Sequence, residues 1–360
     1  MCEERKNHSH NTVRIGPIEF DVPIVQAALS GYSDLPMRRL ARRYGAVYTL
    51  NEVVLDKVVI QKGRKRSQIL SVTDDDHPVG GQLMGSNPEQ FGPAAYEMAQ
   101  AGYDVIDINF GCPVKKVLGR CRGGFLLSQP TAALDIVRRV FDAVQETHPV
   151  TVKMRRGMDD SAESERNFFE ILDGAFAIGV SAVTVHGRTV AQRYIGASQW
   201  TFLSKVKQHV GDKVILGSGD LFSAEACMRM IQETGVDGVT VARGCIGNPW
   251  IFEEFRALWE GEPLPPPPAI QRQRDAIESQ WTDALDVHGE ALAGKLMRKF
   301  GIKYAEFHPC PKEVRDAFIA IKTPADFNAV LDRWYDPDRK WPPVRRREGH
   351  GDLVAAGATL

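Results

Sequence analysis

Residues 104–113, Asp-Val-Ile-Asp-Ile-Asn-Phe-Gly-Cys-Pro, join an apolar run of strand character to a turn that contains glycine and proline. Similar runs recur between residues 22 and 245. The eight predicted strands are residues 23–27, 46–50, 79–83, 104–108, 150–154, 182–185, 214–217 and 238–242. Because such runs are almost continuously apolar, they are typical of a parallel sheet that is covered on both faces.

Amphipathic stretches of helical spacing separate these strands, for example residues 93–101, 131–145, 164–177 and 224–234. Eight strand–helix units predict the α/β class and a (β/α)8 TIM barrel, with a doubly wound open sheet as the structural alternative. The interval from the fourth strand to the fifth is unusually long, and the excess lies in residues 109–129. Since loops at the carboxyl ends of barrel strands build the active site, we expect this loop to be functional.

The domain organisation follows from where this alternation stops. We expect a barrel domain over residues 13–262, a stiff polyproline linker at residues 263–268 and a small C-terminal helical domain over residues 269–340. The N-terminus at residues 1–12 and the tail at residues 345–360 are expected to be disordered.

The composition argues against several classes of protein. The chain has 360 residues, of which 43% are hydrophobic and 25% charged, and its net charge of −1 gives no global nucleic-acid signal. Its six cysteines form no Cys-x-x-Cys pair, so neither a zinc site nor an iron–sulfur site is expected. No signal peptide or membrane-spanning run is visible, and we expect a cytoplasmic monomer that is not bound to a membrane.

Cys112 follows directly on the fourth predicted strand, in the layer where barrel enzymes carry catalytic residues. The alternative is a buried and inert thiol, which is common for free cysteine. The flanking glycine and proline favour a shaped, exposed turn. Four cations follow closely and are expected to lower the pKa of the thiol and to suit an anionic substrate such as an RNA backbone. They are Lys115, Lys116, Arg120 and Arg122.

Four further strand ends carry residues suited to a cofactor that bears a phosphate. Lys153 ends the fifth strand and is suited to stabilising negative charge, whereas the alternative is a surface lysine with a solvated charge. His186, after the sixth strand, is either a hydrogen-bonding site residue or a structural one. The seventh and eighth strands end in glycine-containing turns where barrels commonly bind phosphate, although simple turns have the same composition. The candidate phosphate ligands are Ser218, Gly219, Asp220, Ala242 and Arg243.

In their order along the chain, these motifs resemble the tRNA-dihydrouridine synthase family, and its bacterial B-type branch most of all. The strongest match is residues 107–117, Asp-Ile-Asn-Phe-Gly-Cys-Pro-Val-Lys-Lys-Val, followed by Gly-Gly-Phe-Leu-Leu at residues 123–127. Phe300 departs from the branch, which commonly has histidine there. Supporting matches are Gly31-Tyr-Ser-Asp34, Pro36, Arg38, Gln82, Lys153, His186-Gly-Arg-Thr189, Gly219-Asp220, Arg243 and Pro249-Trp-Ile-Phe252.

The resemblance implies an oxidoreductase that binds FMN at the barrel mouth and uses NADPH as the reductant. The backbone of Ala28, Leu29 and Ser30 would lie beneath the flavin ring. Other cofactor contacts would come from Gln82, Lys153 and His186, and from the phosphate turns at residues 218–220 and 242–243.

The resemblance also implies a reaction on tRNA, which the helical domain would bind. A uridine flipped out of the RNA would receive hydride at C6 from FMN N5 and a proton at C5 from Cys112, the catalytic residue. The substrate-binding residues would be Asn109, Lys115, Lys116, Arg188 and Tyr194.

Local basic clusters supply the RNA signal that the net charge lacks. Residues 295–347 carry 13 Lys or Arg against 7 Asp or Glu, and two further groups are Arg38, Arg39, Arg42 and Arg43, and Lys62, Arg64, Lys65 and Arg66. Any one cluster is equally typical of a solvated helix face. The remaining alternatives are a flavin enzyme acting on a free pyrimidine, of the dihydroorotate or dihydropyrimidine type, a catalytically inactive RNA-binding relative and a flavin-free sugar-phosphate lyase.

Overall fold

A computed structural model describes residues 12–61, 63–344 and 346. The ends that we expect to be disordered, residues 1–12 and 345–360, lie outside the described part except for residues 12 and 346. Within that part, parallel strands close into a barrel with helices around it, so the predicted (β/α)8 fold is confirmed and the open-sheet alternative is wrong.

Each of the eight predicted strands is present within two residues of its predicted bounds. A short hairpin precedes them, and β5 pairs with β6 beside the ring. The ring closes because β4 pairs with both β3 and β6. The strands are β1 (Val13–Ile15), β2 (Ile18–Phe20), β3 (Ile24–Gln26), β4 (Tyr48–Leu50), β5 (Val54–Leu55), β6 (Val79–Met84), β7 (Val105–Phe110), β8 (Val150–Arg155), β9 (Ala182–His186), β10 (Val214–Ser218) and β11 (Gly238–Val241).

The hairpin β1–β2 seals the amino-terminal end of the barrel and was not predicted. Ile15 is fully buried in a cluster with Val25, Val105 and Leu216, which lie on barrel strands. The ring of Phe20 stacks on Tyr48 with their centroids 5.2 Å apart. Strands of three residues are too short to show a periodic pattern. The hairpin leaves the carboxyl ends of the strands as the open face.

The helices alternate with the strands and then continue alone after residue 269, as predicted. They are α1 (Leu35–Arg43), α2 (Asp56–Val59), α3 (Arg64–Ile69), α4 (Pro88–Gln100), α5 (Lys115–Leu118), α6 (Pro130–Val144), α7 (Ala162–Ile178), α8 (Trp200–Val210), α9 (Ala224–Thr234), α10 (Ile251–Trp259), α11 (Ile270–His288), α12 (Glu290–Tyr304), α13 (Pro311–Ala320) and α14 (Pro324–Trp334). Short 3-10 helices span Asp74–Asp76, Gly123–Ser128, Arg243–Cys245 and Ala305–Phe307. None of the helices in the described residues is long and apolar enough to cross a membrane.

The C-terminal helices pack directly on the barrel. Arg43 of α1 pairs with Asp283 of α11 at 2.6 Å. Trp250, just before α10, meets the ring of Tyr304 edge-on, with the centroids 6.2 Å apart. These contacts fix α11 beside α1 and α12 beside the residue that precedes α10. The predicted limits of the helical domain, residues 269–340, stay a prediction.

The arginine group at residues 38–43 is engaged in ion pairs and hydrogen bonds within the fold. Arg38 is 1% exposed, and its guanidinium pairs with the buried Asp76 at 2.5 Å. Arg42 donates a hydrogen bond of 2.9 Å to the backbone oxygen of Asp76, and Arg39 and Arg43 both approach Asp283. In the other small cluster, Lys62 and the side chains of residues 64 and 65 lie outside the description.

Removing the buried carboxylate should destabilise the protein strongly. Asp76→Ala is expected to lower the free energy of unfolding by about 3–5 kcal/mol, because the Arg38 guanidinium would stay buried without its partner. The matched control is Asp75→Ala, since Asp75 is exposed and its pair with Arg39 is 3.3 Å long. That control should cost at most about 1 kcal/mol. Urea unfolding measures both, and equal losses would contradict the assignment.

Candidate active site

Cys112 lies in the loop that follows β7, at the open end of the barrel. The side chain of Asn109 folds this loop back on its own strand. Its Oδ1 accepts hydrogen bonds from the backbone N–H groups of Gly111 and Cys112, both 3.0 Å long. Asn109 is 8% exposed, so this contact is shielded from water. The thiol therefore stands on a backbone that a strand residue positions.

The long segment predicted at residues 109–129 returns onto Cys112. After α5, the backbone N–H of Gly124 donates a hydrogen bond of 3.1 Å to the carbonyl oxygen of Cys112. Gly123 has a φ of +57°, and a Cβ atom there would lie 2.8 Å from the Cβ of Cys112. Only glycine fits this approach without strain. The predicted Lys115 and Lys116 lie on α5 and are exposed.

A chain of buried hydrogen bonds runs across three strands to the Cys112 loop. Asp107 accepts at both carboxylate oxygens, from Thr151 Oγ1 and from Gln82 Nε2, each at 2.6 Å. Gln82 Oε1 in turn accepts from Asn109 Nδ2 at 2.6 Å. Parallel register makes the chain possible, because Gln82, Asp107 and Thr151 are partners on neighbouring strands. We refer to Thr151, Asp107, Gln82 and Asn109 as the interior relay.

Lys153 lies two residues beyond Thr151 on β8, with its Nζ atom buried. That atom has no hydrogen-bond partner among the described residues, although part of the side chain is exposed at the mouth. Burial lowers the pKa of Lys153 to about 8, and the negative charge of Asp107 opposes the shift. Burial likewise raises the pKa of Asp107, against the hydrogen bonds from Thr151 and Gln82. Lys153 is therefore a buried amine below the barrel mouth whose Nζ has no hydrogen-bond partner in the described part of the chain.

Arg155 is the cation whose charge acts on the Cys112 thiol, and it was not among the predicted site residues. Burial raises the pKa of the Cys112 thiol, while the Val114 N–H and the charge of Arg155 oppose the shift. The expectation of a lowered pKa from Lys115, Lys116, Arg120 and Arg122 was wrong, because burial outweighs the nearby charges. Arg155 is 4% exposed and donates to the carbonyl oxygens of Gly111 and Thr189, both at 2.9 Å. Its place at the end of β8 was the available signal.

His186 ends β9 beside these groups and carries a neutral ring. Burial, together with the charges of Arg155 and Lys153, lowers its pKa well below the ordinary value. Its Nδ1 accepts a hydrogen bond from the backbone N–H of Arg188 at 3.2 Å. The proton of the neutral ring is therefore on Nε2, which makes that atom a hydrogen-bond donor.

The two glycine turns after β10 and β11, predicted as phosphate ligands, lie side by side because these strands pair. Gly219 and Asp220 have φ angles of +117° and +61°, and β11 leads through Ala242 into the short helix that begins at Arg243. The Arg243 guanidinium lies 4.7 Å above the ring of the predicted Tyr194. Ser218 Oγ donates to the Thr240 carbonyl oxygen. Backbone groups and Arg243 are therefore what these turns offer to an anion.

Arg188 is placed differently from its predicted role as a substrate ligand. Its side chain is 0% exposed, and its guanidinium donates to both carboxylate oxygens of Asp220, at 2.6 and 2.8 Å. It also donates to the carbonyl oxygen of Gly196. The pair ties the loop after β9 to the glycine turn after β10. The Asp220 carboxylate is thereby engaged with Arg188.

The loop after β3 completes the mouth. Ala28, Leu29 and Ser30 are partly or fully exposed there. The backbone N–H of Leu29 donates to Ser33 Oγ at 2.7 Å, which shapes the turn. From the helical region, Lys299 Nζ donates to the carbonyl oxygen of Gly31. No cluster of three or more His, Cys, Asp or Glu residues in the described ranges could hold a metal ion.

Comparison with known proteins identifies similar sequences along most of the chain. A family model described as dihydrouridine synthase matches residues 25–336. The chain is 34% identical over 350 residues to a probable tRNA-dihydrouridine synthase of Mycobacterium tuberculosis, which spans 92% of this chain and 87% of that protein. It is 33% identical over 351 residues to tRNA-dihydrouridine synthase B of Pseudomonas aeruginosa, spanning 96% of this chain and 100% of that protein.

Solved structures share the fold at much lower identity. Morphinone reductase aligns with a TM-score of 0.52 and 13% identity, over 72% of this chain and 92% of that one. Histamine dehydrogenase from Rhizobium sp. 4-9 aligns with a TM-score of 0.54 and 16% identity, over 76% of this chain and 50% of that one. At these identities the similarity concerns the barrel fold alone.

The desolvated Lys153 should make stability depend on alkaline pH. Its pKa of about 8 in the folded protein lies below that of an unfolded lysine, about 10.4. Between these values the unfolded chain binds more protons, so stability rises with pH. We therefore compare the free energy of unfolding of the wild type with that of Lys153→Met. From pH 8 to pH 10, the value for the wild type should rise by about 2 kcal/mol relative to the variant.

Chemical denaturation of the cofactor-free protein measures this difference. The control is Lys205→Met, because Lys205 is exposed and pairs with Glu165 at the surface. It should show no such change over the same pH range. A difference between wild type and Lys153→Met that is independent of pH would show that Nζ is solvated.

Proposed function

This chain belongs to the dihydrouridine synthase family, and we propose that it reduces the C5–C6 double bond of uridines in tRNA with FMN as cofactor and NADPH as reductant. The observation that carries the proposal is the convergence at one barrel mouth of three features. They are a Lys153 Nζ atom without a hydrogen-bond partner among the described residues, the thiol of Cys112 and a glycine cradle after β10 and β11.

The residues at the mouth fit FMN. Lys153 provides a buried cation for the polar edge of the flavin ring, where negative charge develops on reduction. The turns at residues 218–220 and 242–243 provide backbone N–H groups and the Arg243 guanidinium for the phosphate. Ala28, Leu29 and Ser30 provide an open backbone surface for the ring. Gln82 is less available to the flavin ring than the resemblance implies, because its Nε2 donates to Asp107 and its Oε1 accepts from Asn109.

Cys112 is the proposed proton donor. Bound FMN would supply the hydride that adds to C6 of the base, and NADPH would supply the electrons. The Cys112 thiol gives its proton to C5. Because burial raises its pKa, the group is a protonated thiol at neutral pH, as an acid must be. Arg155 then stabilises the thiolate that remains until solvent returns a proton.

The surrounding groups bind and orient the base. His186 Nε2–H is a donor for a carbonyl oxygen, and Tyr194 lines the mouth beneath Arg243. Asn109 positions the Cys112 loop through its backbone contacts. A uridine within a folded RNA must leave its stack to reach these groups. Lys115 and Lys116 are exposed in the Cys112 loop and would contact RNA phosphates.

tRNA is the proposed substrate because the similar proteins from Mycobacterium tuberculosis and Pseudomonas aeruginosa carry tRNA in their names. The helical region, residues 269–340, is the proposed tRNA-binding part. It adds exposed basic side chains, and recognition there would depend mainly on tRNA shape. These exposed side chains are Lys295, Lys312, Arg315, Lys322 and Arg333.

Reconstitution tests the whole proposal. Purified protein with FMN and NADPH should convert transcribed tRNA to a product two hydrogens heavier per modified uridine, as seen by nucleoside mass spectrometry. Free uracil and uridine should not be reduced at a comparable rate. Reduction of the free pyrimidine alone would favour the small-molecule alternative. A protein that binds tRNA, takes up no flavin and leaves the tRNA unchanged would favour the inactive RNA-binding alternative.

Replacing the proposed acid should separate its role from cofactor binding. Cys112→Ala is expected to retain FMN and NADPH oxidation but to reduce uridine in tRNA about 100-fold more slowly or worse, because the proton has no donor. Cys121→Ala is the matched control, since Cys121 is an exposed cysteine in the same loop. It should react as the wild type does. Normal reduction by Cys112→Ala would remove Cys112 from the mechanism.

A further inference from the structure

The interior relay has a direction that Asp107 dictates. A carboxylate can only accept hydrogen bonds, so Gln82 must turn its Nε2 towards Asp107. Its Oε1 then faces Asn109 and accepts from Nδ2. Asn109 in turn has only its Oδ1 left for the loop, and that oxygen receives the two backbone N–H groups at residues 111 and 112. Each amide thus passes on the orientation of its neighbour.

Burial makes this direction costly to reverse. Asp107 is 2% exposed, Gln82 0% and Asn109 8%, so water does not replace a lost partner. If Asn109 were flipped, its NH2 group would face two N–H donors in the loop, and neither could be satisfied. The hydrogen bonds to the carboxylate are also the stronger kind, because the acceptor carries charge. The relay therefore favours one arrangement of the loop.

We propose that Asp107 is a positioning residue, whose carboxylate fixes the orientation of Gln82 and Asn109 and thereby holds the Cys112 thiol in place. Asp107 does this through other residues, since its hydrogen bonds go to Thr151 and Gln82. The catalytic importance of holding the Cys112 thiol in place rests on the proposed function, in which Cys112 is the acid. The positioning itself is measurable on the protein without any substrate.

The decisive variant combines Asp107→Asn with Thr151→Val. Thr151 is the second partner of Asp107, and valine matches its shape without the hydroxyl. Of the two side chains that hydrogen-bond to residue 107, only Gln82 then keeps a polar group. An asparagine at position 107 presents its NH2 group to Gln82, because an unsatisfied donor is less tolerated than an unsatisfied acceptor. Gln82 and Asn109 must follow. The loop loses both hydrogen bonds to Asn109 and opens more often.

The readout is the rate at which iodoacetamide modifies Cys112, followed by peptide mass spectrometry on the protein as purified. The double variant should react roughly tenfold faster than the wild type, which corresponds to the loss of two ordinary hydrogen bonds. Thr151→Val alone retains the acceptor at position 107 and should stay within about twofold of the wild type. Cys121, already exposed, serves as the internal reference.

A third change should restore the direction of the relay. Adding Gln82→Glu moves the carboxylate, which can only accept hydrogen bonds, from position 107 to position 82. Asn109 then again turns its NH2 group to residue 82 and its oxygen to the loop. The triple variant has the net charge of the wild type and should return to its rate of modification. A purely structural role for the charge at position 107 predicts no such rescue.

The outcomes separate this inference from the proposed function. A folded double variant that reacts at the wild-type rate overturns the inference, as does a triple variant that stays fast. If the double variant does not fold, the triple variant is the test. A rate of Cys112 modification equal to that of the wild type supports the inference, and a faster rate overturns it. In tRNA reduction the double variant should lower kcat while KM for tRNA stays unchanged. The expected alkylation pattern in a protein that never reduces tRNA would sink the function and leave the positioning intact.

Discussion

The closed parallel sheet is the constraint on which the rest of this structure depends. Because the sheet is closed, alternate side chains of every strand point into one interior that contains little water. A polar group there needs a hydrogen-bond partner on a neighbouring strand. Register aligns Gln82, Asp107 and Thr151 in one row, and Asn109 with Lys153 one step closer to the mouth. Most of these groups satisfy one another. Lys153 Nζ has no partner in the described part of the chain, which leaves a cation for a ligand.

The same mouth is held from outside by the helical region. Lys299 donates to the carbonyl oxygen of Gly31, and the ring of Phe300 meets Tyr32 edge-on, with the centroids 5.5 Å apart. His288 Nε2 lies 2.8 Å from a carboxylate oxygen of Asp34. The helical region, which we propose to bind tRNA, thus contacts the loop after β3, which we propose to lie beneath the flavin. Phe300, the departure from the B-type pattern, is buried in this contact.

Much of the site was predictable because strand ends can be recognised in sequence. Apolar runs located all eight barrel strands, and the carboxyl ends of parallel strands must meet at one face, which brought Cys112, Lys153 and His186 together. The partners of Arg155, Arg188 and the arginines of α1 were not predictable, although the place of Arg155 at a strand end marked it as a site residue. A guanidinium can serve a substrate, a carboxylate or a backbone carbonyl, and its sequence neighbours do not distinguish these partners.

The sequence by itself determined the barrel, its family and the identity of the thiol, because these depend on local periodicity and on short motifs in a fixed order. Only the tertiary structure decided the state of that thiol. Lys115 and Lys116 are near Cys112 in sequence but exposed, whereas Arg155 reaches its loop from the next strand. Burial then outweighs both kinds of charge and keeps the proton on sulfur. Desolvation depends on the whole surrounding fold, and no stretch of sequence carries that information.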